Sequence, residues 1–129
     1  MEDADFSDEF CRFVQGTLPS VDAAEVLLYL YREPGAGWLP RQIAEGLRGV
    51  RVSEADTAKY LQGFAASGLA AAQPDGGYRY APANPTIGGY VQTLALAYEQ
   101  RPVTLIRLIY ALRDGKIRSF ADAFKLRKS

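Results

Sequence analysis

One change of hydrophobic period constrains this chain more than any other feature. Up to Gly68, apolar residues recur at helical spacing in short segments that end at glycine or proline. Beyond it, two short apolar runs, Leu69 to Gln73 and Tyr78 to Ala81, flank Pro74-Asp75-Gly76-Gly77, a sequence suited to a tight hairpin turn. Helical period returns after Pro82. The chain therefore reads as mainly α with one small β-hairpin.

The punctuation places each segment. A short amphipathic stretch (Phe6, Phe10, Phe13, Val14) precedes Leu18-Pro19-Ser20. Asp22 is placed as an N-cap, with Glu25 three residues on and Val21/Val26 as a hydrophobic staple. The helix expected over 23–32 puts Val26, Leu27 and Leu30 on one face, and Pro34-Gly35 stops it. Trp38-Leu39 forms a short apolar bridge to Pro40, which is tolerated at the first position of a helix carrying Ile43, Ala44 and Leu47 and ended by Gly49. Ser53 then caps a helix with Ala58, Leu61, Phe64 and Ala65 at helical spacing, closed by Gly68. Past the hairpin, Asn84-Pro85 opens a helix on which Ile87, Val91, Leu94 and Tyr98 are spaced as a seam. Pro102 interrupts it, and Val103, Ile106, Ile109 and Tyr110 continue to Asp114-Gly115. A last short helix is expected from Ser119. Three regions follow: an acidic amphipathic segment 1–21, a domain 22–82, and a helical region 83–129 with a basic tail.

Composition removes whole classes of chemistry. Among 129 residues there is no histidine and one cysteine, Cys11. That excludes an intrachain disulfide framework, a Cys/His zinc site, an Fe–S cluster and a histidine triad. No carboxylates cluster at ligand spacing, so neither a metal nor another cofactor is expected, and the chain is not read as an enzyme. With no histidine or nearby lysine to activate it, Cys11 reads as a small buried hydrophobe. Gly35-Ala36-Gly37 and Asp75-Gly76-Gly77 read as turns, since neither joins a strand to a helix as a phosphate-cradling loop does. The apolar stretches are far short of the ~20 residues of a membrane span, and residues 1–9 lack the basic and apolar regions of a signal peptide. A cytoplasmic protein without membrane contact is the expectation.

Fifteen bases balance fifteen acids, but they are unevenly placed. Residues 1–33 carry eight acids against two bases, and residues 101–129 carry eight bases against two acids. Such a gradient suits a basic arm for phosphate, or two ends that attract each other within or between chains.

Helix, bridge, helix, turn, helix and hairpin, in that order over 22–82, resembles a winged helix-turn-helix of bacterial transcriptional regulators. Trp38-Leu39-Pro40-Arg41-Gln42-Ile43-Ala44-Glu45-Gly46-Leu47 resembles the first helix of the motif. Val52-Ser53-Glu54-Ala55-Asp56-Thr57-Ala58-Lys59-Tyr60-Leu61, with Phe64, Gly68 and Leu69, resembles the recognition helix and its exit. Asp75 to Pro82 is similar to the wing, and the helices after it resemble the dimerisation helices of MarR-like and PadR-like regulators.

The resemblance implies a homodimeric, sequence-specific regulator of double-stranded DNA. Recognition-helix side chains reach base edges in the major groove, which on this chain implies Ser53, Glu54, Asp56, Thr57, Lys59 and Tyr60. Arg41, Gln42, Arg48, Arg51 and Arg79 would hold phosphates. Ile87, Val91, Leu94, Tyr98, Val103 and Ile106 would form the dimer interface. The sequence departs from that pattern in the acids Glu54 and Asp56, which repel phosphate although they suit a helix N-terminus. The alternative is a winged helix that docks a protein partner of the transcription or chromosome machinery without touching DNA.

Overall fold

A computed structural model describes residues 6–33, 35, 37–47 and 52–113. Among them are six helices and a two-stranded antiparallel sheet: α1 (Asp8–Thr17), α2 (Val21–Arg32), α3 (Pro40–Gly46), α4 (Glu54–Ala66), β1 (Ala70–Ala72), β2 (Tyr78–Tyr80), α5 (Pro85–Gln100) and α6 (Pro102–Arg113). The helix expected from Ser119 lies outside the described residues, as do Arg48 and Arg51.

The chain divides into two compact units: the described residues up to Val21 and from Thr93 onward, and Asp22–Gln92. The N-terminal segment and the C-terminal helices therefore belong together, and the boundary at Thr93 falls inside α5.

In the first unit, Ser7 caps α1 by accepting the Phe10 N–H on its Oγ at 3.0 Å, while Asp8 and Glu9 complement the positive helix end. The helix buries Phe10, Cys11 and Val14 and packs against α6, which buries Leu105 and Ile109. The Phe6 and Phe10 rings meet at 5.1 Å, and the Arg101 guanidinium lies 4.7 Å over the Phe6 ring, a cation–π contact.

In the second unit α2 starts at Val21, so Asp22 lies in its first turn instead of capping it. Its carboxylate still complements the helix dipole there. Ala23, Ala24, Val26, Leu27, Leu28 and Leu30 are all buried, more than the single face expected. Pro40 takes the first position of α3, and the Gln42 side chain turns back so that Oε1 accepts the Leu39 N–H at 2.8 Å. Helix α3 packs on α4, and α4 on β1. The exit from α4 requires Gly68, whose φ of +78° places it in the left-handed region. There Leu69 N–H donates to Phe64 O at 2.9 Å, closing a Schellman turn over two buried side chains.

The hairpin pairs Ala70 with Tyr80, Ala71 with Arg79 and Ala72 with Tyr78. Its turn is held by Asp75, whose Oδ1 accepts the Gly77 N–H at 2.9 Å. Trp38 adds a one-residue rung on the other edge of β2: its N–H donates to Tyr78 O at 2.7 Å, and Tyr78 N–H donates to Trp38 O at 2.8 Å. Rings fasten this corner, with Tyr29 edge-on to Trp38 at 5.3 Å and Tyr31 edge-on to Tyr80 at 5.4 Å. Beyond it Asn84 caps α5, its Oδ1 accepting the Ile87 N–H at 2.9 Å.

The expected dimer seam is corrected here. Val91 and Leu94 are 0 % exposed within the single chain, and Ile87 and Tyr98 are half-buried. The two central residues of the stripe spaced as an interface are thus already covered within the single chain. Of the other two residues assigned to it, Ile106 is half-buried and Val103 exposed.

Candidate nucleic-acid interface

The elements that resemblance assigns to recognition lie in α3, α4 and the hairpin, all within Asp22–Gln92. Helix α4 begins with Ser53, whose Oγ accepts the Asp56 N–H at 3.0 Å. Ser53 thus spends an acceptor on its own helix. Glu54 and Asp56 are exposed in the first turn, where they complement the helix dipole and face solvent.

Thr57, expected to reach a base edge, is 0 % exposed. Its hydroxyl donates to Ser53 O at 2.8 Å, so both the side chain and its proton are committed inside the helix. The reason is helical phase: Thr57, Leu61 and Phe64 recur at i, i+4 and i+7 and form the buried face of α4. Tyr60 is half-buried beside that face.

The outward face of α4 is Ala55, Lys59, Gln62 and Ala66, at i, i+4, i+7 and i+11, all exposed. Of these, Lys59 is among the residues that the resemblance implies, and Gln62 is an addition from the structure. The signal was present, because Gln62 sits one helical turn from Lys59 and opposite the apolar set. Ala55 and Ala66 flank the lysine and glutamine along this face, and the exposed Asp56 lies one turn before Lys59. Lysine can donate to guanine O6/N7 and glutamine can pair with both edge groups of adenine.

Arg41 and Gln42 are exposed at the start of α3, although Gln42 already uses its carbonyl oxygen as a cap. Arg79 projects into solvent from the middle of β2, opposite Ala71, while Tyr78 and Tyr80 are half-buried. Burial, and then the neighbouring Tyr31, push the Tyr80 phenol above its ordinary 10.0, so it stays a neutral packing group. Across α3, α4 and the hairpin, the described exposed charges are Arg41, Lys59 and Arg79 against Glu45, Glu54, Asp56 and Asp75. Three bases face four acids, and the surface is not a strong anion trap.

Cys11 is buried in the other unit, and desolvation with the nearby Asp8 carboxylate pushes its thiol from 9.0 up to about 12. Such a thiol is neither nucleophile nor ligand at neutral pH. Among the described residues no group of three or more His, Cys, Asp or Glu is placed to hold a metal ion, and no helix is long and apolar enough to cross a membrane. The chain matches no protein-family model, no curated protein and no solved structure.

Proposed function

We propose that Asp22–Gln92 is a winged helix that binds double-stranded DNA in a sequence-specific manner, and that the protein is a cytoplasmic transcriptional regulator. The observation that carries the reading is the Trp38–Tyr78 rung. It ties the bridge between α2 and α3 to the hairpin that follows α4, which makes helix, bridge, helix, helix and hairpin one connected motif rather than a mere order along the chain. The outward polar pair Lys59 and Gln62 supports α4 as the element that enters the major groove. Arg41 and Arg79 suit phosphates on either side of it.

Mobility-shift titrations with genomic fragments at two salt concentrations test this. Lys59→Ala and Arg79→Ala should each weaken binding to all sequences and lower the salt slope by about one. Gln62→Ala should cost about 1–3 kcal/mol at one base position. The DNA reading is abandoned if Arg79→Ala and Glu54→Gln both leave affinity unchanged.

A second reading is favoured by the acids of α4. Glu54 and Asp56 are exposed beside a surface with more acids than bases, which suits a basic protein partner. The two readings disagree in sign: Glu54→Gln strengthens non-specific DNA binding but weakens a basic partner.

A further inference from the structure

Resting on the DNA-binding reading above, we infer that α4 reads three consecutive base pairs, with Asp56 on cytosine, Lys59 on guanine and Gln62 on adenine of one strand. All three side chains are exposed and follow one another at three-residue intervals. At about 100° per residue each interval turns about 60° back around the helix, so the three form an oblique band across its solvent side. The buried Thr57, Leu61 and Phe64 lie on the opposite side. The band spans about 9 Å of helix axis, and two base-pair steps rise about 6.8 Å. A helix lying oblique in the major groove brings those lengths into register, and in such docking side chains three residues apart meet successive bases. Glu54 lies outside the band.

Hydrogen-bonding chemistry assigns a base to each side chain. A carboxylate only accepts, and cytosine presents a donor, N4, on its major-groove edge with no acceptor beside it to repel the second oxygen. An ammonium only donates, and guanine presents two acceptors, O6 and N7. A primary amide does both, which matches N6 and N7 of adenine. Asp56 repels phosphate, but it gives discrimination in return, because guanine and thymine offer it no donor in the major groove. The residues beside the band suit close approach. Ala55, Gly63 and Ala66 are exposed there, and a Cβ added to Gly63 would have nothing within 4 Å. The packing of the fold therefore does not require glycine at 63, whereas a groove wall pressed against α4 leaves little room for a longer side chain.

Selection of a randomised duplex library on the full chain, at one fixed salt concentration, tests the assignment. It should enrich consecutive C, G and A on one strand, as 5′-CGA or 5′-AGC according to the polarity of α4 in the groove. Replacing any one of the three base pairs should weaken binding about tenfold. Exchange variants should then move single positions. Gln62→Lys moves its position from A to G, and Asp56→Asn moves its position from C to A. Lys59→Gln moves its position from G to A, on top of the uniform loss that a removed charge brings. Gly63→Gln should keep or raise the melting temperature, since glycine is a poor helix former, yet weaken binding to every duplex. Enriched sites without the triplet, an exchange variant that leaves its own position unchanged, or full binding by Gly63→Gln would each overturn the inference while the DNA-binding reading stands. Failure of the wild type to bind any duplex would overturn both.

Discussion

Thr57 distinguishes the observed interior from the surface role its sequence position implied. In Thr57→Val the hydroxyl that donates to Ser53 O at 2.8 Å is replaced by a methyl of similar size. Ser53 O keeps a partner, because the Thr57 backbone N–H also donates to it at 2.9 Å. The loss is one net hydrogen bond, about 1 kcal/mol, with no orphaned acceptor. Burial of the added methyl returns about 0.8 kcal/mol, so Thr57→Val should stay within about 1 kcal/mol of wild type. Thr57→Ser keeps the hydroxyl but removes a fully buried methyl and should cost about 0.5–1.5 kcal/mol. Thr57→Asp places a carboxylate where the side chain is 0 % exposed and should cost more than about 3 kcal/mol. Urea unfolding followed by circular dichroism reads all three. Binding to any DNA target should be the same for Val and Ser once both are folded. The reasoning fails if Thr57→Asp is tolerated within about 0.5 kcal/mol, or if Thr57→Val alone loses discrimination at one base position.

Two further predictions concern stability. Cys11 should resist alkylation in the native protein at pH 8 and react only on unfolding; fast native labelling would contradict its burial. Because the folded thiol holds its proton up to about 12 and the unfolded one only to 9.0, the folded state binds more protons between these values. Stability should therefore be unaffected by this group below pH 9.0, decline as pH rises toward about 12, and lose that decline in Cys11→Ala. Gly77→Ala should lower stability by about 1–2 kcal/mol, because a Cβ there would lie 3.1 Å from Trp38 O and 3.2 Å from Trp38 C, backbone atoms held by the rung. Emission of Trp38, the one tryptophan in the chain, should shift in the folded variant; an unchanged unfolding midpoint and spectrum would show that the bridge has slack.

The local devices were legible in the sequence because each is completed within a helical turn or a hairpin. The Ser53 hydroxyl over Asp56, the Gly68 N–H after α4, the Asp75 carboxylate in the hairpin and the Asn84 amide over Ile87 each bond to a group two or three residues away, while Pro40 starts α3 through its fixed φ and missing N–H. Composition and pattern likewise fixed a mainly helical chain with one hairpin before any contact was known. Tertiary structure decided what such short-range bonds cannot encode. The Trp38–Tyr78 rung joins residues forty apart, and the grouping of α1 with α6 spans most of the chain. Thr57 suits either side of a helix, since its methyl packs and its hydroxyl can bond to the preceding turn; only the faces taken by Leu61 and Phe64 turned it inward. On α5 and α6, Leu96, Val103 and Tyr110 are as apolar as Leu94, Leu105 and Ile109, so the sequence could not say which were covered. Burial of Leu94, Leu105 and Ile109 settled that choice and left Leu96, Val103 and Tyr110 outside. A hydrogen bond within one turn is specified by its own residues, whereas the buried side of a two-faced helix is specified by whatever packs against it.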